Sequence, residues 1–255
     1  MIANYHTHTW RCRHASGSER QYIEQAIAAG ISILGFSDHT PCPFPGSYYS
    51  DYRMFLHQTE EYFRTLTDLK TEYAGQIQLQ IGVEAEYYPA LFADMLALLR
   101  QYPCEYMLLG QHFLENEDTG EYVYLRSADP DALRRYVSQT LEGLSTGLFT
   151  YLAHPDLFSW TGDNETYRRE MTRLCRGLKE LDYPAELNLL GLYDRRRYPD
   201  RRFWEIAAEV GNRVILGVDA HEPSALNRPK TEAAARRYLA SLSIIPLETV
   251  NLVSI

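Results

Sequence analysis

The stretch ISILGFSDHT, residues 31–40, decides the fold. Its first residues are apolar without the alternation of a half-exposed strand, which is the pattern of a strand buried on both faces. It then closes on Asp38 and His39, two metal-ligand types. The same design recurs outward in both directions. MIANY (1–5) runs into His6 and His8, and IQLQIGVEAEY (77–87) carries Glu84 and Glu86. YMLLGQHF (106–113) holds His112, and FTYLAH (149–154) ends at His154 with Asp156 just beyond. AELNLLGL (185–192) contains Glu186 and Asn188, and VILGVDAH (214–221) closes on Asp219 and His221.

Amphipathic patterns fill the intervals. Residues 18–29 set Ile23, Ala26 and Ile27 on one face and stop at Gly30. Residues 51–74 align Tyr62, Leu66, Leu69 and Tyr73, and residues 200–210 align Phe203, Ala207 and Val210 before Gly211. Asp129-Pro130 opens a further helix, with Asp at the N-cap and Pro in the first turn. Seven strands alternating with helices predict parallel βαβ units, in a closed barrel or a strongly curved sheet, with an open doubly wound sheet as the alternative. No linker or repeat divides the chain, so residues 1–255 are expected to form one domain.

Composition excludes several classes of function. The net charge is −9, which disfavours nucleic acid and anionic membranes as partners, since both call for a basic face. Lys70, Lys179 and Lys230 are the only lysines, so 22 of the 25 basic residues are Arg, the side chain suited to bidentate phosphate contacts. Cys12, Cys42, Cys104 and Cys175 have no metal or disulfide spacing and read as reduced thiols. With no signal pattern and no apolar run of membrane-spanning length, the expected compartment is the cytoplasm.

The strand ends carry the chemistry. In a parallel barrel they converge on one mouth, where active sites sit. Seven of the eight histidines fall there or, for His14, just beyond; His57 lies in a helical pattern and reads as a surface residue. Side chains two apart on a strand point the same way, so His6 and His8 can grip one cation, and Asp219 and His221 can face one cavity. HxH alone is weak; the coincidence of so many ligand types is not. Seven histidines with Glu84 and Asp219 suit Zn, Mn or Fe over Mg or Ca, and nine ligands suffice for two or three ions.

HTH near the N-terminus, SDHTP, GVEAEY, GQHF, LAHPD and GVDAH, in this order, resemble the motifs of the PHP (polymerase and histidinol phosphatase) superfamily. HTHTWRCRH followed by GFSDHTP is most similar to the histidinol-phosphatase branch. The resemblance implies a distorted (β/α)7 barrel with a trinuclear centre at the C-terminal ends of the strands. It implies that His6, His8, Glu84 and Asp219 hold a first ion, that Glu84 bridges to a second held with His112 and His154, and that His14, His39 and His221 hold a third. Two departures concern the substrate. An Asp that often follows the third His is replaced by HASGSER, with Glu19 as a stand-in, and the Arg of the family's N-x-x-G-L-R is displaced to Arg195, Arg196 or Arg197.

The expected activity is hydrolysis of a phosphate monoester, L-histidinol phosphate in histidine biosynthesis, with another small phosphate ester of the sugar or nucleotide class as the alternative. Three divalent transition-metal ions (Zn, Mn or Fe) are the expected cofactors. Two of them, roughly 3.5–4 Å apart, would share a hydroxide that attacks phosphorus. Glu84 and Asp219 are the candidate catalytic carboxylates. Asp38 joins them as a group that orients rather than ligates, and Asp156 and Glu186 are read as supporting. An amidohydrolase-type barrel is disfavoured because no lysine lies at a strand end; net charge disfavours a nuclease, and the complete ligand set disfavours a non-catalytic scaffold. Selectivity for histidinol calls for carboxylates and aromatic faces near the mouth, with Glu19, Glu86, Asp156, Trp10, Phe113 and Trp160 as the candidates.

Overall fold

The computed structural model describes all 255 residues. It has six strands: β1 (Ala3–Asn4), β2 (Ile33–His39), β3 (Gln78–Ala85), β4 (Tyr106–Leu109), β5 (Ala185–Asn188) and β6 (Val214–Gly217). β1 to β4 lie in chain order in one sheet and β5 pairs with β6 in a second, every pairing being parallel. The expected strand at 149–154 is the link between the two sheets. Leu152 bridges to both Leu109 and Ala185, while the Thr150 and Ala153 N–H groups donate to the Met107 and Leu109 carbonyls and the Glu186 N–H donates to Leu152. Opposite this link, Thr7 bridges to Ala220. Seven segments thus curl round into a distorted parallel barrel.

Eight helices connect them: α1 (Glu19–Ala28), α2 (Thr59–Glu72), α3 (Phe92–Leu99), α4 (Pro130–Ser145), α5 (Asn164–Glu180), α6 (Leu189–Tyr193), α7 (Arg201–Val210) and α8 (Pro229–Ser241). Local chemistry sets their ends. Ser18 and Gln21 form a capping box at α1, an arrangement whose cap is worth about 1 kcal/mol. Asp129 caps α4 with Pro130 in its first turn, as expected. Gly211 closes α7 at φ +79°, a left-handed conformation that glycine adopts without a Cβ clash.

The structure shortens several expected elements. The helix expected over 51–74 covers only Thr59–Glu72, because Arg53 is buried in a polar network and a 3-10 turn at Leu56–Gln58 re-aims the chain. The run 185–192 stops as a strand at Asn188, whose side chain accepts the Gly191 N–H at 3.0 Å and starts α6. The runs 77–87, 106–113 and 214–221 leave the sheet at Ala85, Leu109 and Gly217. His112, Asp219 and His221 therefore sit on loops past the strand ends. No amphipathic pattern given above marks α3, α5, α6 or α8.

The main hydrophobic cluster lies between strands and helices. A smaller one, with Tyr5, Tyr106, Leu108, Tyr151 and Ile215, fills the barrel interior, where the Tyr106 hydroxyl donates to the Tyr5 and Phe36 carbonyls at 2.7 and 3.1 Å. Asn4 closes the ring. Its Oδ1 accepts the Val218 N–H at 2.8 Å while its Nδ2 donates to Thr7 Oγ1 at 2.8 Å. The four cysteines are free, and no helix is long and apolar enough to cross a membrane.

Candidate metal centre

The nine candidate ligands come together at the end of the barrel to which the strands point. Glu84 lies at their middle, 1% exposed. Its two oxygens face different imidazoles. Oε1 lies 2.8 Å from His154 Nε2 and 3.6 Å from His112 Nε2. Oε2 lies 3.2 Å from His39 Nδ1 and 3.5 Å from both His6 Nε2 and His8 Nε2. Asp219 Oδ1 stands beside the same pair, 3.5 Å from His6 and 3.1 Å from His8, and 3.4 Å from His221 Nδ1. His14 and His221 meet Nε2 to Nε2 at 2.9 Å.

Two glycines make room for this. A Cβ on Gly110 would stand 1.9 Å from Glu84 Oε1, and one on Gly217 would stand 2.3 Å from Glu186 Oε2. The backbone is also strained here, with His154 at φ +28° and Asp219 at φ +53°. Non-glycine residues hold such conformations where the surroundings enforce them, and these cluster at functional sites.

Carboxylates behind the ring hold the imidazoles in place. Glu186 Oε2 lies 2.8 Å from His6 Nδ1 and Glu86 Oε1 lies 2.8 Å from His112 Nδ1, so each ring donates backward and turns Nε2 to the centre. Asn188 Nδ2 donates to Glu186 and Asp219 at 2.8 and 3.1 Å. Asp38 accepts from the Thr9 hydroxyl and from the His39 N–H and stands 3.5 Å behind His8 Nδ1. Asp38 thus occupies an orienting position and contributes no oxygen to the centre.

The electrostatics favour bound cations. Burial opposes ionisation of Glu84, but His112, His6 and His39 and the hydrogen bond with His154 outweigh it and hold its pKa well below the carboxylate range. Asp219 is lowered in the same way, against burial, by His6, His221 and His8. Burial and the neighbouring His8 take His39 well below the usual imidazole range and bring His221 to about 3, so both are neutral nitrogen donors, as ligation requires. His6 and His8 are raised despite burial, His6 by Glu186 and Asp219 and His8 by Asp219 and Asp38. A divalent cation competes with those protons for the same nitrogens.

The residues fit metal ions on a further observation. His6 Nε2, His8 Nε2, His39 Nδ1, Glu84 Oε2 and His154 Nδ1 are buried without a hydrogen-bond partner. Buried polar atoms are seldom left unpaired, because the desolvation cost is then uncompensated. Ligand atoms lie within 4.8 Å of one another in each of the sets His6–His8–Asp219, His6–Glu84–His154, His8–His39–Glu84 and His14–His39–His221.

Above the ring opens a cavity of about 780 Å³, the size of a small-molecule site. Tyr52, Phe113, Tyr122, Tyr124, Tyr193 and Tyr198 wall it, with Arg196, Arg228, Asp194 and Glu222 as charged members. Of the three candidate arginines, Arg196 lines the cavity, bonded to Asp194 and the Tyr198 hydroxyl at 3.1 and 3.3 Å. Arg197 instead donates to the Tyr124 carbonyl and Ser159 Oγ at 2.7 and 3.0 Å, and Arg195 is exposed outside the lining. Glu19 is buried against Arg11, away from the cavity. Of the aromatics expected at the mouth, Phe113 lines the cavity, while Trp10 stacks on Arg11 and Trp160 donates to the Asp163 carbonyl. Asp156 accepts from the Asp200 N–H and Trp204 Nε1 at the start of α7, and burial pushes its pKa up to about 7. His57 is exposed, as expected. Arg228, paired with Glu222 and 3.5 Å from the Tyr193 ring centroid, was missed, since NRPK carries no local signal of facing a distant mouth.

The chain is similar to several known proteins. The PHP domain family model matches residues 4–189. A Deinococcus radiodurans protein named "Probable histidinol-phosphatase" is 29% identical over 231 residues, covering 87% of each chain. The "Histidinol-phosphatase" of Bacillus subtilis is 31% identical over 121 residues, 45% of each chain. In three dimensions the chain is similar to histidinol phosphate phosphatase from Lactococcus lactis, solved with Zn, L-histidinol and phosphate. The TM-score is 0.73 at 20% identity, over 98% of this chain and 97% of that one. With the family model spanning nearly three quarters of the sequence, this chain belongs to the PHP domain family.

Proposed function

We propose that this protein is a metal-dependent phosphomonoesterase that hydrolyses L-histidinol phosphate to L-histidinol and phosphate, using three divalent transition-metal ions. The observation that carries the reading is Glu84, whose two oxygens face separate sets of imidazoles at the floor of a ligand-sized cavity. His6, His8, Glu84 and Asp219 would hold one ion, Glu84, His112 and His154 a second, and His14, His39 and His221 a third. When bound, such ions supply a water activated for attack at neutral pH and positive charge for the phosphoryl oxygens. The protein groups do the rest. Glu186 and Glu86 keep protons on His6 Nδ1 and His112 Nδ1, leaving Nε2 free for ligation. Arg196 offers its guanidinium to the phosphoryl group from the wall. The faces of the tyrosine wall together with Asp194 and Glu222 suit an imidazole and a primary ammonium.

Two measurements test this. Elemental analysis after mild purification should give more than two metal equivalents per chain, and a value near one sinks the trinuclear reading. kcat/KM for L-histidinol phosphate should exceed that for p-nitrophenyl phosphate or a sugar phosphate by at least ~100-fold, the scale of two or three polar contacts. Equal values would leave a phosphatase and remove the histidinol assignment.

A further inference from the structure

Arg53 lies beneath the mouth of the barrel, 2% exposed. Its Nη2 is 2.5 Å from Glu86 Oε1 and its Nε is 2.5 Å from Glu117 Oε2. Nη1 donates to the Thr40 carbonyl at 3.2 Å, and Nη2 also reaches the Tyr52 and Tyr88 hydroxyls, each at 3.3 Å. One guanidinium therefore meets two buried carboxylates, a backbone carbonyl next to His39 and a tyrosine of the cavity wall.

We propose that Arg53 is a positioning residue of the metal centre: through Glu86 it fixes the ring of His112, and through the Thr40 carbonyl it holds the strand end that carries His39. The inference rests on the metal reading above. His112 is three residues past the end of β4; its carbonyl accepts the Val123 N–H at 2.9 Å, which places the backbone but leaves the orientation of the ring to its side-chain partners. Its Nδ1 donates to Glu86 at 2.8 Å while its Nε2 stands 3.6 Å from Glu84. Glu86 can hold that ring only while its own side chain is fixed, and Arg53 fixes it by donating to the same oxygen, Oε1, that faces His112 Nδ1. Packing alone does not explain the residue, since a buried ion pair is often replaceable by apolar side chains without loss of stability. A planar fork with five donors is needed to serve Glu86, Glu117 and Thr40 at once, which a lysine cannot do. Glu117 ties the same guanidinium to the loop beyond His112, joining two mouth loops below the floor.

The test reads metal retention by elemental analysis after dialysis against a weak chelator. Arg53→Gln should weaken the ion on His112 and His154 by about 10- to 100-fold, so content falls by about one equivalent from the wild-type value. Glu86→Ala should lose the same equivalent while Arg53 stays neutralised by Glu117, which keeps the test open if Arg53→Gln does not fold. Glu117→Gln, which frees the loop and leaves the Arg53–Glu86 contact, should retain the wild-type content. Arg53→Lys should restore part of the loss. Wild-type retention in a folded Arg53→Gln overturns the inference whatever Glu86→Ala does; if Arg53→Gln does not fold, wild-type retention in Glu86→Ala overturns it, and so does an equal loss in Glu117→Gln, which would mark a loosened loop. Wild-type protein holding one ion or none removes the metal reading, and this inference with it.

Discussion

The floor and the wall of the cavity are built from different material. The floor is imidazole and carboxylate, placed by strand ends and the first residues beyond them, backed by Glu186, Glu86 and Asp38, and largely buried. The wall is tyrosine and arginine, placed by loops and the short α6, and half open to solvent: Tyr122 is 37% exposed and Tyr193 51%. In the floor His6, His8 and His112 each have a carboxylate behind the ring. In the wall the fixing contacts are stacking and surface ion pairs, such as Arg196 with Asp194 and Arg228 over Tyr193, which are individually weak. Under the proposed function, a rigid floor and a compliant wall would divide the work: the first would hold whatever is common to phosphate esters, the second what distinguishes them.

Substitutions can break that division or sharpen it. The largest effect is expected from Glu84→Gln, which removes the charge shared by both sets of imidazoles; kcat should fall by about a thousandfold or more, with up to two metal equivalents lost and cooperative melting retained. Glu86→Gln should be milder, and the floor is misread if it proves the more damaging. Next comes Gly110→Ala, whose Cβ would overlap Glu84 Oε1. It should cost about 1–3 kcal/mol of stability in thermal melts, with a loss of metal that a surface Gly75→Ala does not show. Glu186→Gln should lower metal affinity about 10- to 100-fold by releasing the His6 ring, read by chelator competition. The smallest effects belong to the wall. Arg196→Ala should raise KM about 10- to 100-fold with metal content unchanged, while Arg195→Ala and Arg197→Ala should stay within a few-fold. A loss of metal in Arg196→Ala would erase the distinction between floor and wall.

The same division explains what was legible in the sequence. HTH, SDH, GVE and DAH announce the floor because a strand fixes where its end points, and the barrel brings all such ends to one mouth. The wall has no such rule. Arg195, Arg196 and Arg197 are equivalent by position, but Arg195 takes φ +54°, which turns the chain so that Arg196 faces the cavity and Arg197 is drawn to Tyr124. Glu19 looked available to substrate because nothing local reveals that Arg11 folds back onto it. The strand lengths were overestimated for a related reason. Apolar character continues past Asn188, but its side chain accepts the Gly191 N–H and turns the chain into α6.

The Asn4 closure carries a consequence for the timing of assembly. Asn4 and Val218 are 214 positions apart, and the residues facing each other across that seam are His6 and His8 on one side and Asp219 and His221 on the other. During synthesis at about 5–20 residues per second, the first two histidines leave the ribosome roughly 10–40 s before their counterparts exist. No nascent chain cut short before Asp219 can complete the centre, whatever its other strands have done. On the proposed metal reading, cation uptake at the complete His6–His8–Asp219 set would be a late event in the life of each molecule, and a product truncated before Asp219 would lack one carboxylate of that set.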